Sequence, residues 1–80
     1  MLPMTISVKY FASLREQLGR SEDQIEFLDN LTVDALWNMA TNNHARPDTL
    51  LVAINQEYAQ FNDLVSDHDE VAFFPPVTGG

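Results

Sequence analysis

The sequence predicts an α+β domain, a mixed β-sheet with one main helix packed on one face. Three observations carry that expectation. Segments 4–10 and 24–27 place apolar residues at alternate positions, the period of a half-buried strand. Segment 33–40 places them at i, i+3, i+4 and i+7, the stripe of an amphipathic helix. Strands and helices also follow one another in mixed order within 80 residues, which leaves room for one sheet and one covering layer.

The first strand is Met4-Thr5-Ile6-Ser7-Val8-Lys9-Tyr10. Met4, Ile6, Val8 and Tyr10 face one way, and Thr5, Ser7, Lys9 and Phe11 the other. Ser13-Leu14-Arg15-Glu16 has the form of a capping box, with Ser13 at the N-cap and Glu16 at N3. Leu14 and Leu18 lie a turn apart, and Gly19 can take the left-handed C-cap conformation. This predicts a short helix of about two turns. Gln24-Ile25-Glu26-Phe27 then reads as a second strand with Ile25 and Phe27 inward. Thr32 is the expected N-cap of the main helix, and Asp34 suits the positive end of its dipole. Its apolar stripe is Val33, Leu36, Trp37 and Ala40, and it fades at Thr41-Asn42-Asn43. Arg46-Pro47-Asp48 is loop, since a residue before proline avoids helix.

Leu50 to Ile54 is a continuous apolar run and predicts a central strand buried on both sides. Asn55-Gln56-Glu57 is a turn, Tyr58 to Phe61 a short edge segment, and Ser66-Asp67-His68-Asp69 a polar turn. Glu70-Val71-Ala72-Phe73-Phe74 is the last strand, stopped by Pro75-Pro76, which donate no ladder hydrogen bonds. The domain is expected over 1–75, with an extended, flexible C-terminal tail over 76–80.

Composition narrows the function. There is no cysteine, so disulfides, thiolate metal sites and a catalytic thiol are excluded. Twelve acidic residues against four basic give a net charge of −8, which argues against nucleic acid and against an anionic membrane surface. The charge serves solubility, or steers the chain toward a basic partner. No secretory signal or bilayer-spanning run is present, so the expected location is the cytoplasm. His44 falls in a loop and His68 in a polar turn, neither with a second histidine at metal-ligand spacing. Asp67, Asp69 and Glu70 lack the spacing and glycine of a calcium loop. No phosphate-binding glycine loop exists. Nothing internal reads as catalytic, and no metal or bound cofactor is expected.

The chain ends in Pro75-Pro76-Val77-Thr78-Gly79-Gly80. The prolines favour a stiff, extended backbone that projects from the sheet. Glycine has no Cβ, so Gly79-Gly80 is the narrowest peptide a chain can offer to a channel. What it delivers is an unhindered α-carboxylate. Such a group can be activated as an acyl-phosphate derivative and attacked by sulfur or an amine. The competing reading of these residues is a frayed terminus.

With the tail in view, the sequence resembles the small, sulfur-carrying subunits of molybdopterin synthase, which have the ubiquitin-like β-grasp fold. The resemblance is strongest in VKYFASLREQLG and in LLVAINQEYAQF with DEVAFFPPVTGG. It implies that an E1-like enzyme adenylates the Gly80 carboxylate with ATP, and that a sulfur donor converts it to a thiocarboxylate, a covalent 1-thioglycine. It implies docking on the large subunit of molybdopterin synthase in a heterotetramer. There the sulfur passes to a cyclic pyranopterin precursor to build the molybdopterin dithiolene of the molybdenum cofactor. The large subunit would supply the catalytic side chains. Gly80 would carry the sulfur. Gly79 would give passage, and Thr78, Val77 and Pro76, following Pro75, would be gripped along the channel.

Strand alternation puts Phe11 and Phe74 opposite Tyr10 and Phe73. If the helix covers the latter pair, Phe11 and Phe74 lie on the open face, as a docking patch or packed on a neighbouring loop. Arg15 is a charged contact beside them, or pairs with a neighbour such as Glu16. The alternatives are a sulfur carrier for thiamine or cysteine synthesis, a ubiquitin-like modifier joined to lysines, and a β-grasp interaction module with an inert tail.

Overall fold

In a computed structural model that describes residues 4–76, the first alternating segment forms strand β1, Thr5–Tyr10. Ile6, Val8 and Tyr10 are buried, and Thr5, Ser7 and Lys9 are half-buried on the other face. Met4 does not join the buried set. It sits one residue before the strand, past the edge of the core, and is 50% exposed.

Helix α1, Ser13–Leu18, ends as expected at Gly19, whose φ is 73° and whose N–H donates to the Arg15 carbonyl. Its start differs from the expected capping box. Ala12 is the N-cap, no side chain caps the helix, and Ser13 is already its first residue. Local geometry explains the difference. The Phe11 N–H donates to the Phe73 carbonyl, which prolongs β1, and the Leu14 N–H turns back onto the Phe11 carbonyl. That tight turn brings Leu14 under the sheet one residue too early for Ser13 to cap. Strand β2, Glu22–Glu26, runs antiparallel to β1, with Ile6 opposite Ile25 and Val8 opposite Asp23. It begins two residues before the expected Gln24 because Asp23, a carboxylate, occupies an inward position and interrupts the apolar alternation.

Helix α2, Val33–Thr41, is the covering layer. The Thr32 hydroxyl accepts the Ala35 N–H at 3.1 Å, the bond an N-cap makes to N3. The preceding N–H groups of Val33 and Asp34 donate to the carbonyls of Asp63 and Phe61, so the helix start is anchored to the loop before β5. Val33, Leu36, Trp37 and Ala40 are all buried, as their spacing requires. Trp37 meets the Phe73 ring edge-on at 5.0 Å, and its indole N–H donates to the His44 carbonyl at 2.8 Å. Asn42 closes the helix with a φ of 56°.

The remaining strands are β3, Leu51–Ile54, β4, Glu57–Ala59, and β5, Glu70–Phe74. The sheet order is β2-β1-β5-β3-β4. Strand β5 pairs parallel with β1 and antiparallel with β3, so β5 and not β3 is the centre of the sheet. The expectation that Leu50 to Ile54 is buried on both sides is corrected too. Leu50 and Val52 are buried, but Leu51 and Ala53 are only half-buried, because helix α2 covers one face and leaves the other open; Ile54, on the covered face at the end of the strand, packs against the core and is half-buried too. Asn55 and Gln56 join β3 to β4 with φ of 51° and 72°, the left-handed pair of a type I′ hairpin turn. The fold is α+β, a mixed five-stranded sheet with two helices.

Candidate functional site

The position of β5 decides where the C-terminal residues depart. They leave from the middle strand of the sheet, through half-buried Pro75 and exposed Pro76. Val77, Thr78, Gly79 and Gly80 lie outside the described residues. The side chains around the exit follow from register. Tyr10 pairs with Phe73, so Phe11 stands one step further along β1, beside the end of β5. Phe74 is opposite Leu51 on β3, and Tyr58 of β4 is opposite Ala53.

Phe74 is half-buried on the open face and Phe11 is 47% exposed. The alternation therefore placed this pair correctly, and Tyr10 and Phe73 are buried on the opposite face. The structure adds Tyr58, which sequence reasoning left unassigned in an edge segment. It is 78% exposed, and its ring leans on that of Phe74 with centroids 5.9 Å apart at 51°. The Asn55-Gln56 turn was the available signal, because a two-residue hairpin fixes which β4 side chain shares a face with β3. Leu51, Ala53 and Ala72 complete the apolar half of the open face, while Lys9, Glu70, Ser7 and Gln24 form its polar half. An apolar patch edged by polar side chains has the anatomy of a protein-binding surface.

Arg15 is exposed on α1, the helix that follows Phe11. Lys9 pairs with Glu70 at 4.0 Å, Arg20 with Asp23 at 2.6 Å and Arg46 with Asp34 at 3.2 Å. Among the described residues Arg15 has no such partner, and the expected pair with Glu16 is not made. Its charge is thus available to an acidic group of a partner.

Between Phe11 and α1 stands Ala12, with φ 54° and ψ −131°. This is a conformation that glycine takes easily and an L-residue with a Cβ resists. Holding it costs on the order of 1–3 kcal/mol.

The titratable groups with displaced pKa values are elsewhere. The Tyr10 hydroxyl is pushed above the usual tyrosine range by burial and by the hydrogen bond it donates to Asp23 at 2.8 Å. Arg20 is held protonated more firmly than usual by its bond to the same carboxylate. Neither touches the exit of β5. His44 and His68 are exposed, His68 beside Asp67 at 3.2 Å. Among the described residues no cluster of three or more His, Cys, Asp or Glu could hold a metal ion. Nor is any described helix long and apolar enough to cross a membrane.

This architecture is the ubiquitin-like β-grasp, and solved structures share it. One is SAMP1, a small archaeal modifier protein, from Haloferax volcanii, at a TM-score of 0.81 and 26% identity, covering 95% of this chain and 99% of that one. The chain belongs to the ThiS family, whose profile matches residues 8–80. It is 39% identical to the molybdopterin synthase sulfur carrier subunit of Escherichia coli (strain K12), across 94% of this chain and 99% of that one. It is 37% identical to the protein of the same name from Chlamydomonas reinhardtii, across 96% of this chain and the whole of the other.

Proposed function

We propose that this chain is a sulfur carrier subunit of molybdopterin synthase in molybdenum cofactor biosynthesis. The supporting observation is its relationship, over nearly the full length, to proteins of that name, with its own Gly79-Gly80 in place. Residues 1–75 form the body, and 76–80 deliver the reactive end. An E1-like enzyme joins the Gly80 carboxylate to the α-phosphate of ATP, releasing pyrophosphate. A donor of sulfide-level sulfur (an HS⁻ equivalent) then attacks the acyl carbon and AMP leaves, giving a thiocarboxylate. The large subunit receives the tail and transfers the sulfur to a cyclic pyranopterin precursor, and hydrolysis at the end of the cycle returns the carboxylate. This chain contributes the acyl carbon and the docking surface, and its partners contribute the catalytic side chains. Its activation draws on ATP through the E1-like enzyme, and its place of action in this reading is the cytoplasm.

Phe11, Phe74, Tyr58 and Arg15 are the docking residues of this reading. Aromatic anchors next to the exit hold the body while the tail extends, and Arg15 meets a carboxylate of the partner. Pro75 and Pro76 keep the departing backbone extended. Gly79 passes where a side chain would collide, so Gly79→Val should fold normally and lose sulfur transfer with purified partners. Full activity of that variant would overturn the channel role.

The deciding experiment is an intact mass after incubation with ATP, the E1-like enzyme and a sulfide source. One oxygen replaced by one sulfur, absent from a Gly80-deleted control, establishes the carrier. An isopeptide adduct to lysine would instead establish a modifier. An unchanged mass, with the enzyme active on a known carrier, would reject both. Sulfur gain without transfer in the presence of the large subunit would favour a carrier for thiamine or cysteine synthesis.

A further inference from the structure

The two edges of the sheet are finished differently. The edge at β4 is closed by its own loop: the Gln60 N–H donates to the Asp63 carboxylate at 2.8 Å, and the Asp63 N–H donates back to the Gln60 carbonyl at 3.1 Å. The edge at β2 has no such cover. Its ladder to β1 is pinned by the Tyr10 N–H on the Ser21 carbonyl at 2.9 Å and by the Phe27 N–H on the Met4 carbonyl at 2.8 Å. Antiparallel bonding alternates along a strand. Asp23 and Ile25 therefore turn their backbone groups to β1, and Glu22, Gln24 and Glu26 turn theirs away from the sheet. Strand β2 pairs with β1 alone, and among the described residues no backbone group bonds those outward ones.

The side chains beside this edge are sorted by face. Glu22, Gln24 and Glu26 are exposed and stand with Lys9, Ser7 and Thr5 on the open face. Among the described residues neither Glu22 nor Glu26 has a cationic partner. On the covered face Ile25 and Phe27 are half-buried against the core. An unpaired edge is a template for another strand. A second copy is the wrong occupant: paired antiparallel about Gln24, it would set Glu22 opposite Glu26 of its mate, and like charges directly opposite destabilise a strand pair. The same two carboxylates favour a strand that carries cations.

We infer that β2 is a strand-addition site for an extended segment of a partner protein, with Lys or Arg at alternate positions and apolar residues between them. The backbone groups of Glu22, Gln24 and Glu26 take the ladder bonds, the cations meet Glu22 and Glu26, and the apolar side chains pack beside Ile25 and Phe27. Strand β1 separates this edge from β5 and the C-terminal exit, so the site stands apart from the aromatic patch and does not depend on the sulfur-carrier reading.

The test is amide exchange of the isotope-labelled full chain, followed by NMR, with a short synthetic peptide alternating lysine and valine and a glutamate–valine peptide as control. In the free protein the Asp23 and Ile25 amides should exchange slowly and those of Glu22, Gln24 and Glu26 fast. The lysine peptide should slow the latter set by roughly tenfold or more, giving protection along the whole strand, and the glutamate peptide should not. Glu22→Gln with Glu26→Gln should bind the lysine peptide roughly three- to tenfold more weakly. Gln24→Pro removes an N–H from the outward side, where an edge strand tolerates proline, and should fold and lose the peptide. The exchange pattern and the double variant decide the matter even where Gln24→Pro does not fold. Peptide binding without slowed exchange at Glu22, Gln24 and Glu26 would overturn the proposal, reducing the edge to a negatively charged surface. Parental affinity in folded Gln24→Pro would overturn it too. So would failure of the lysine peptide to bind, which would leave the carboxylates as a barrier to self-pairing alone.

Discussion

Among the described residues, Arg20 engages several groups at once. Its guanidinium donates to Asp23 at 2.6 Å, to the Ala40 carbonyl at 2.6 Å and to the Leu18 carbonyl at 3.3 Å, and it lies over the Tyr10 ring at 5.7 Å. It ties the end of α1, the sheet and the last turn of α2 together. The side chain is 40% exposed, so solvent screening discounts each contact. Arg20→Ala should still cost about 1–2 kcal/mol, a fall of roughly 4–8 °C in Tm per kcal/mol for a domain of this size. An unfolding curve that overlays the parent would remove Arg20 from this role. Tyr10 gives a pH prediction. Its folded-state pKa is raised by burial first and by Asp23 second, so the folded form keeps a proton that the unfolded chain sheds near the ordinary tyrosine pKa of 10.0. Stability from this group is complete below that pH and drains away as pH rises above it. Urea midpoints should fall between pH 9 and 11, and Tyr10→Phe should flatten that fall. None of this network was legible in the sequence. A charged residue facing inward looks like a break in the strand, and its partner, Arg20, looks like an ordinary loop cation. Tyr58 escaped for a related reason: one exposed aromatic on a three-residue strand has no periodicity to reveal it.

The two helices show which local signals suffice. Thr32 was recognisable as a cap because the nonlocal bonds at the start of α2 engage the Val33 and Asp34 N–H groups and leave the Ala35 N–H to its hydroxyl, which makes the expected bond. Thr32→Ala should cost about 1 kcal/mol, read as a lower Tm and faster amide exchange in the first turn. The Ser13-Glu16 pair has an equally good cap pattern and is not used, because the pairing of Phe11 with β5 fixes where the chain turns. Ser13→Ala should therefore leave Tm within about 1 °C of the parent, below the scale at which surface substitutions register; a loss as large as that of Thr32→Ala would restore the capping box. Gly19 is the opposite case, a short-range signal that the fold obeys. An added Cβ would meet nothing within 4 Å there, so Gly19→Ala pays only for its φ of +73°, about 1 kcal/mol. Strand β3 was misjudged for a different reason. A run of apolar residues reports which side chains avoid water but not how many layers cover them, and here the open face that keeps Leu51 and Ala53 partly exposed is the face beside the exit of β5.

One sheet separates the core from the open aromatic face. Phe73 and Phe74 are adjacent and point to opposite sides. Phe73 is fully buried among Trp37, Tyr10 and Phe61, so Phe73→Ala should cost about 3–5 kcal/mol, a large share of what an 80-residue domain possesses. Phe74→Ala should cost less than half of that and weaken binding to the large subunit instead; a loss equal to that of Phe73→Ala would put Phe74 in the core. The overall fold class was readable because α2 and β1 carry strong periods. The sheet order was not, since nothing local announces that the first and last strands lie side by side.

That adjacency has a consequence for how the protein is made. During synthesis β1, β2, β3 and β4 emerge before the strand that joins them, and until Glu70–Phe74 leaves the ribosome the first hairpin and the second have no common neighbour. A nascent chain interrupted earlier has two open sheet edges where its middle should be, the sort of exposed pairing surface that invites disposal. It also lacks Phe74 and everything after it. Completion of the sheet thus waits for Glu70–Phe74, and a partner that recognises the open face around Phe74 binds only a chain in which β5 has been made.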